Sequence, residues 1–189
     1  MSQTQQAGSS TPPQPRVQPA PTVERVRTHS WDDPAAIAAA LPRRSGAELL
    51  GAMQAGELPP PPIMLTLGIE GWSFEVGRAV FTLVPAEYHY NPLGTVHGGV
   101  IATLLDSAAG CAVHSVLPAG TGYTSVDLVT KYLRPVTIAT GRVTAEGGVI
   151  SRGSRTALAE ARLTDEDGRL LAHATSTCLL FPIAADPTA

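Results

Sequence analysis

The sequence predicts an α+β protein in which a curved antiparallel β-sheet wraps around one long, central, buried α-helix. The first observation is the stretch from Gly99 to Leu117, which is apolar nearly all the way round a helix and carries one carboxylate, Asp106. A helix without a polar face is buried. The second observation is that the flanking segments are rich in β-forming residues and separated by turn signals, which favours antiparallel pairing. A sheet that encloses the helix buries both.

Length, charge and cysteine content exclude several classes of protein. The chain has 189 residues, enough for one domain with a sizeable core, and its formal net charge is −3 without a basic run. We therefore expect no nucleic-acid partner, because that binding depends on clustered Lys and Arg. The central helix is too short and too polar in places for a membrane span. Cys111 and Cys178 lack metal or disulfide-framework spacing, and no signal peptide is evident, so we expect a cytoplasmic protein.

The N-terminal third divides into a tail and a helical extension. Residues 1–28 are rich in Gln, Ser and Pro at their start and are predicted to form a disordered tail. Residues 29–62 are predicted to form two short helices and a Pro-rich connector. Asp33 and Pro34 mark the start of the first helix, and Ser45 with Glu48 forms a capping box at the start of the second. The proline run 59–62 is expected to be extended.

Residues 63–182 are predicted to form the folded domain, followed by a short C-terminal tail over 183–189. Two strands are expected before the central helix, with a hairpin turn at Glu70-Gly71 and a bulge at Gly77. Four more strands are expected after the helix, the first over residues 121–135. The last two are expected to form a hairpin, because Ala157, Ala159, Ala161 and Leu163 alternate with Thr156, Leu158, Glu160 and Arg162. The predicted turns between the four strands are at Arg134-Pro135, Gly147-Gly148 and residues 165–168.

Candidate chemistry begins where the central helix starts. Gly98 and Gly99 offer backbone N–H groups at a helix N-terminus, where the first donors are unpaired and the dipole is positive. Such a place can stabilise an oxygen that develops negative charge. Asn91 and His97 lie on the preceding loop and could orient a substrate carbonyl or fix the loop. The alternative is a simple turn that enters a helix, and spacing alone does not decide between the two.

Asp106 favours the functional interpretation. An ionised carboxylate in an apolar helix is costly unless it is paired, solvated or functional, and no Lys or Arg lies between residues 98 and 117. Asp106 follows His97 by nine residues, which places it about 13 Å along the helix and half a turn round. One helix cannot readily present both groups to the same small molecule. Two helices packed antiparallel can, so we expect an isologous dimer with two composite sites.

These residues resemble a known motif. Asn91, His97-Gly98-Gly99 and Asp106, with Ser125-Val126-Asp127-Leu128 and Tyr132-Leu133-Arg134-Pro135 beyond them, are similar to the hotdog-fold thioesterases of the phenylacetate-catabolism (PaaI-like) group. The resemblance implies the hotdog fold and hydrolysis of acyl-coenzyme A thioesters without a metal or organic cofactor. We expect the homodimer inferred above to pair into a dimer of dimers.

The resemblance also implies a role for each residue of the motif. Gly98 would supply the backbone oxyanion donor, while Asn91 and His97 would orient the carbonyl and the loop. Asp106 of the partner subunit would be the general base or nucleophile. Ser125 would position the attacking water, with Thr124 as the substitute if the strand register is shifted by one residue.

Several assignments remain open at this stage. The cations Lys131, Arg134, Arg152 and Arg155 could bind the phosphates of coenzyme A or form a solvated strand face. Four aromatic residues could line an acyl tunnel or belong to the core: Trp31, Trp72, Tyr88 and Tyr90. A hotdog protein that binds acyl-coenzyme A without turnover is the main alternative function. A hotdog hydratase is less favoured, since no Asp lies between Tyr88 and His97.

Overall fold

The computed structural model describes residues 23–183, so residues 1–22 of the predicted tail and 184–189 at the C-terminus lie outside the described residues. Four α-helices and seven strands are arranged along it as α1 Ala35–Ala40, α2 Gly46–Gln54, α3 Pro62–Leu67, β1 Ile69–Glu75, β2 Arg78–Leu83, α4 Gly98–Ser115, β3 Thr121–Ser125, β4 Val129–Tyr132, β5 Val143–Arg152, β6 Thr156–Thr164 and β7 Leu170–Pro182. Two short 3-10 helices lie at Glu87–His89 and Ile138–Thr140.

One antiparallel sheet contains all seven strands. Their order is β1-β2-β5-β6-β7-β3, and β4 pairs with β7 on the same side as β3. Helix α4 packs against β1, β2, β3, β5, β6 and β7. The predicted arrangement of an antiparallel sheet around a central helix is therefore confirmed.

Small residues let α4 lie close to the sheet. The inward positions of β6 are Ala157, Ala159, Ala161 and Leu163, all nearly inaccessible, as the sequence alternation predicts. On β5, a Cβ added at Gly147 would lie 2.2 Å from the backbone of Ala108 in α4. Only glycine permits that approach, which fixes the depth of the helix in the sheet.

One stripe of α4 remains partly open to solvent. Ala102, Thr103 and Asp106 are half-buried and Gly99 is exposed, whereas Leu105, Ala108 and Ala109 on the other faces are fully buried. Within one protomer, the burial predicted for the helix therefore holds on the faces towards the sheet but not on this stripe. Sequence periodicity missed it because Ala and Gly score as apolar wherever they lie. The open stripe presents Asp106 to the outside of the protomer.

The segment before α4 corrects three predictions. Residues 62–67 form helix α3 rather than a strand, since Pro62 occupies the first helical turn and Gly68 ends the helix with φ +74°. Strands β1 and β2 turn at Val76-Gly77, where Gly77 has φ +85°. The predicted turn at Glu70-Gly71 instead lies at an irregularity in the β1–β2 pairing.

The segment after α4 departs from four continuous strands. The predicted strand 121–135 is divided into β3 and β4, because the Asp127 side chain accepts the Thr177 N–H (2.9 Å) and its carbonyl accepts the Ser176 hydroxyl (2.9 Å). Gly147 and Gly148 lie inside β5 rather than at a turn. Both glycines pair with neighbouring strands, and the turn follows at residues 153–155. Strand pairing here overrides the local turn preference of Gly-Gly.

Helix α2 lies against the C-terminal end of α4. The capping box predicted for Ser45 and Glu48 is confirmed. The Gly46 N–H donates to the Leu117 carbonyl at 3.0 Å, and a Cβ on Gly46 would lie 1.7 Å from the His114 carbonyl oxygen. The two backbones are thus in direct contact. Across residues 23–183, no helix combines the length and apolar character that crossing a membrane would require.

Two buried histidines make the fold sensitive to acid. His89 donates from Nε2 to the Leu67 carbonyl (2.7 Å), with Nδ1 accepting the Ala86 N–H. Neither ring nitrogen of His114 has a hydrogen-bond partner within residues 23–183. Burial lowers the pKa of both rings, and at His89 the nearby Arg27 charge adds to this effect. The folded state thus binds fewer protons than the unfolded state when the pH falls below about 6.5.

We therefore expect the free energy of unfolding to fall as the pH drops below about 6.5, by at most about 1.4 kcal/mol per pH unit for each histidine. Urea unfolding between pH 5 and 7.5 measures this slope. His114→Phe should reduce the slope of the free energy of unfolding against pH by the contribution of one histidine. His29→Phe, at an exposed position, should leave this slope unchanged. Identical slopes for wild type and His114→Phe would contradict the assignment.

Candidate active site

Asp106 and Ser125 form a hydrogen-bonded pair on the open stripe of α4. The Ser125 hydroxyl, at the end of β3, donates to Asp106 Oδ1 at 2.8 Å. The other oxygen, Oδ2, has no hydrogen bond to residues 23–183. Thr124 is exposed on the opposite face of β3, where it pairs with Leu179. Ser125 rather than Thr124 is therefore the hydroxyl beside the carboxylate.

Asp106 also lies at the boundary between two spaces. On one side is an apolar cavity of about 200 Å³, whose walls include Leu50, Met53, Met64, Trp72, Phe81 and Tyr123. On the other side is an open hollow of about 390 Å³, lined by Thr103, Ser125, Val126, Asp127 and Leu128 among others. Among the lining residues, Asp106 alone belongs to both spaces. A molecule with a reactive centre at Asp106 could extend an apolar group into the cavity and a polar group into the hollow.

The start of α4 presents one unused backbone donor. His97 is the N-cap, and its Nδ1 accepts the Gly99 N–H at 2.9 Å. The Gly98 N–H has no acceptor within residues 23–183. Because Nδ1 is an acceptor, the proton of the neutral His97 ring is on Nε2. Of the two glycines, Gly98 has the N–H that remains available for an incoming oxygen.

The loop before α4 is held by Asn91 and Tyr132. The Asn91 side chain accepts the N–H groups of Leu93 (2.9 Å) and Thr95 (3.3 Å) and donates to Thr95 Oγ1 (3.0 Å). The Tyr132 hydroxyl donates to the Gly98 carbonyl at 3.0 Å. Asn91 thus fixes the loop, while Tyr132, which sequence reasoning did not single out as a site residue, fixes the first turn of the helix.

The start and the middle of α4 face different spaces. Gly98 opens on an N-terminal hollow of about 340 Å³ that also contains Asn91, Tyr132 and Arg134. This hollow shares no lining residue with either space at Asp106. Eight residues of helix separate Gly98 from Asp106, about 12 Å. Within one protomer, the donor and the carboxylate do not face the same molecule.

The four candidate cations do not lie together in one protomer. Arg134 follows β4 and its guanidinium donates to the Leu170 carbonyl, at one end of β7. Lys131, on β4, shares the outer sheet face with His173. Arg152 and Arg155 flank the β5–β6 turn, next to Leu180 at the other end of β7. About nine β7 residues separate these two ends, a distance of about 30 Å.

The walls of the apolar cavity include residues for which the sequence predicted no functional role. Of the four candidate aromatic residues, Trp72 lines the cavity, while Trp31 and Tyr88 are exposed and Tyr90 accepts the Ile138 N–H. Leu50, Met53 and Met64 come from α2 and α3. The sequence signal for α2 was a capped helix with apolar residues, and the α3 segment was predicted to be a strand. Both patterns indicated packing but not which surface the element covers.

Neither thiol near the site is a ready nucleophile. Burial, and secondarily the charge of Asp106, raises the pKa of the Cys111 thiol to about 12. Burial also raises the pKa of Cys178 and, far above its usual value, that of the Tyr123 hydroxyl. These groups stay protonated at neutral pH. Residues 23–183 contain no cluster of three or more metal-ligating His, Cys, Asp or Glu side chains.

Comparison with known proteins identifies the family. Residues 93–172, from the loop before α4 into β7, match the model of the thioesterase superfamily. The chain is 32% identical over 106 residues to the 1,4-dihydroxy-2-naphthoyl-CoA hydrolase of Listeria monocytogenes, covering 56% of this chain and 85% of that protein. This chain belongs to the thioesterase superfamily.

Two further relatives of this superfamily member are informative. The chain is 44% identical over 69 residues to a candidate esterase of Halobacterium salinarum, covering 35% of this chain and less than half of that protein, 44% of its length. A crystal structure of a phenylacetic acid degradation-related protein from Ralstonia eutropha has a TM-score of 0.61 at 30% identity, covering 69% of this chain and 98% of that one. The PaaI-like hotdog fold implied by the sequence motif is thereby confirmed.

Proposed function

We propose that this chain hydrolyses acyl-coenzyme A thioesters to a free acid and coenzyme A, by attack of water at a site formed between two subunits. One observation carries the proposal. The carboxylate of Asp106, held by the Ser125 hydroxyl at 2.8 Å, stands where an apolar cavity meets an open hollow. An acyl group and the chain of coenzyme A need such a pair of spaces on either side of the scissile bond. The Listeria relative, by its name, acts on a coenzyme A thioester.

The proposed hydrolysis has two steps, attack of water on the thioester carbonyl and departure of the coenzyme A thiolate. Asp106 Oδ2 accepts a proton from water while the water oxygen attacks the thioester carbonyl carbon. Ser125 holds Oδ1 and thereby orients the carboxylate. The carbonyl oxygen, now negative, receives a hydrogen bond from an N–H at the start of α4. The C–S bond then breaks, the thiolate of coenzyme A takes up the proton, and the acid is released.

The donor in this reaction is proposed to be Gly98 of the partner subunit. In one protomer Gly98 and Asp106 are about 12 Å apart and open on hollows without a shared residue. Antiparallel contact of two α4 open stripes would bring each Gly98 towards the other subunit's Asp106. Such an isologous contact repeats the same site twice. We further propose that two such dimers pair into a dimer of dimers and that the protein is cytoplasmic.

The four candidate cations lie in two groups, one near each end of β7. We propose Arg134, which lines the N-terminal hollow with Gly98, as the first contact for coenzyme A phosphates. Lys131 lies nearby on the outer face. Arg152 and Arg155 are about 30 Å further along the sheet, so they would reach the same coenzyme A only from another subunit.

Mixing two inactive variants tests the composite site. Gly98→Pro chains lack the donor and Asp106→Asn chains lack the base, so each homodimer should be inactive. A heterodimer contains one site with both defects and one intact site. Random reassortment of equal amounts makes half the dimers mixed, so about one quarter of wild-type activity should return. Free-thiol release after co-refolding measures it.

The same experiment identifies the competing arrangements. No recovery on mixing, with mixed dimers verified by two affinity tags, would contradict the composite site and place both groups within one subunit. Tight binding of acyl-coenzyme A to the wild type, without thiol release, would instead support a binding protein without turnover. A control mixture of Asp106→Asn with itself should show no recovery.

A further inference from the structure

Helices α2 and α3, here called the lid, form one wall of the apolar cavity beside Asp106. We propose that the lid sets the upper size of the acyl group that this chain accepts, with Leu50, Met53 and Met64 as the specificity-determining residues. The inference rests on the proposed function, because an acyl group enters the cavity only when its thioester lies at Asp106.

The lid supplies one side of the cavity and the sheet the other. Leu50 and Met53 come from α2 and Met64 from α3, facing Trp72, Phe81 and Tyr123 of the sheet. Leu50 is buried to 4% and Met64 to 8% residual exposure. Asp106 is the single charged residue among those that line the cavity. The cavity therefore suits an apolar group whose one polar end is at Asp106.

The cavity volume limits the occupant. It measures about 200 Å³, and an apolar cavity of about 150 Å³ holds one benzene molecule. One six-membered ring or a chain of about six to eight carbons therefore fills the space. A chain of about sixteen carbons exceeds it unless the lid moves.

Both ends of the lid are anchored. At its start, the Gly46 N–H donates to the Leu117 carbonyl of the turn after α4 (3.0 Å). At its end, the carbonyl of Leu67 accepts a hydrogen bond from His89 (2.7 Å), and that of Leu65 accepts one from Arg27 (2.9 Å). The proline run between α2 and α3 adds stiffness. A lid fixed in this way limits the size of the occupant instead of opening to accommodate it.

The lid also lies outside the segment that matches the family. The thioesterase superfamily match covers residues 93–172, whereas the lid comprises residues 46–67. The proposed catalytic residues Gly98 and Asp106, and the positioning residue Ser125, are within the match. The residues proposed to limit the size of the acyl group therefore lie outside the segment by which the family is recognised.

Rates on an acyl series test the inference. For wild type, we expect kcat/KM to rise by up to about fourfold per added methylene, to peak at six to eight carbons or with one ring, and to fall at least tenfold by sixteen carbons. Met53→Ala and Met64→Ala should each move the peak to a chain about two methylenes longer. Met53→Leu, of similar volume, and Gln54→Ala, exposed on the same helix, should leave the peak unchanged.

A binding measurement separates this inference from the proposed function. The Kd values of S-alkyl-coenzyme A thioethers, which cannot be hydrolysed, should follow the same length profile in wild type and in each variant. Absence of thiol release from every substrate would contradict the proposed function. The dependence of Kd on the alkyl-chain length of the thioethers would still show whether the lid limits the size of the occupant. Wild type that binds hexadecyl- and hexyl-coenzyme A equally, or an unchanged peak in folded Met53→Ala and Met64→Ala, would overturn the inference.

Discussion

Asp106→Asn should lower kcat for acyl-coenzyme A hydrolysis by about 10²- to 10⁴-fold, the usual contribution of a general base. Asparagine has the size of aspartate and can keep the hydrogen bond from the Ser125 hydroxyl, which lies 2.8 Å from Asp106 Oδ1 in the wild type. It cannot take a proton from water at neutral pH. KM should change little, since the substitution leaves the cavity and the hollow intact. Steady-state thiol release, with thermal unfolding as a check on the fold, measures the effect.

Two companion variants define the role of the carboxylate. Asp167→Asn removes an equivalent charge from an exposed turn and should retain wild-type kcat. Ser125→Ala removes the orienting hydroxyl but leaves the base, so its loss should be smaller than that of Asp106→Asn. If Asp106→Asn keeps wild-type turnover, Asp106 is neither base nor nucleophile and the proposed reaction is wrong.

Gly98→Pro should lower kcat by about 10²- to 10³-fold, the usual cost of one lost oxyanion donor. Proline removes the Gly98 N–H, which has no acceptor within residues 23–183, so no hydrogen bond among the described residues is lost. The first position of a helix tolerates proline. The preceding residue, His97, has φ −59° and ψ 136°, a conformation compatible with a following proline. The helix should therefore persist while the donor is absent.

Gly98→Ala is the matched control for the side chain. A Cβ at this position would lie 3.2 Å from the Tyr132 ring, a close contact that both variants share. Alanine retains the N–H, so the ratio of kcat between the alanine and proline variants isolates the donor. Equal rates for the two folded variants would show that the Gly98 N–H does not stabilise the transition state.

The helix and its lone carboxylate were predictable because both are local in sequence. Apolar periodicity indicated α4, and the absence of a nearby cation around Asp106 indicated an exceptional carboxylate. The capping box at Ser45 and the alternation of β6 were equally local and are confirmed. Each of these features depends on neighbours within a few residues, so the sequence by itself determined them.

Features that depend on distant strands were decided only by the tertiary structure. Gly147-Gly148 resembles a turn but lies within β5, because both residues pair with neighbouring strands, and the close approach of Ala108 requires glycine at Gly147. The choice of Ser125 over Thr124 followed from the pairing of β3 with β7, since a shift of one residue reverses the face of every side chain.

The cavity beside Asp106 also depends on residues that are distant in sequence. Met53 and Met64 are more than forty residues from Asp106 in sequence and meet it only because α2 and α3 pack over the end of α4 and the edge of the sheet. Hydrophobic packing is non-directional, so an apolar helix carries no record of which surface it covers. The sequence by itself determined the helix start and the lone carboxylate that we propose polarise and attack a thioester, and the tertiary structure decided the volume of the cavity beside that carboxylate.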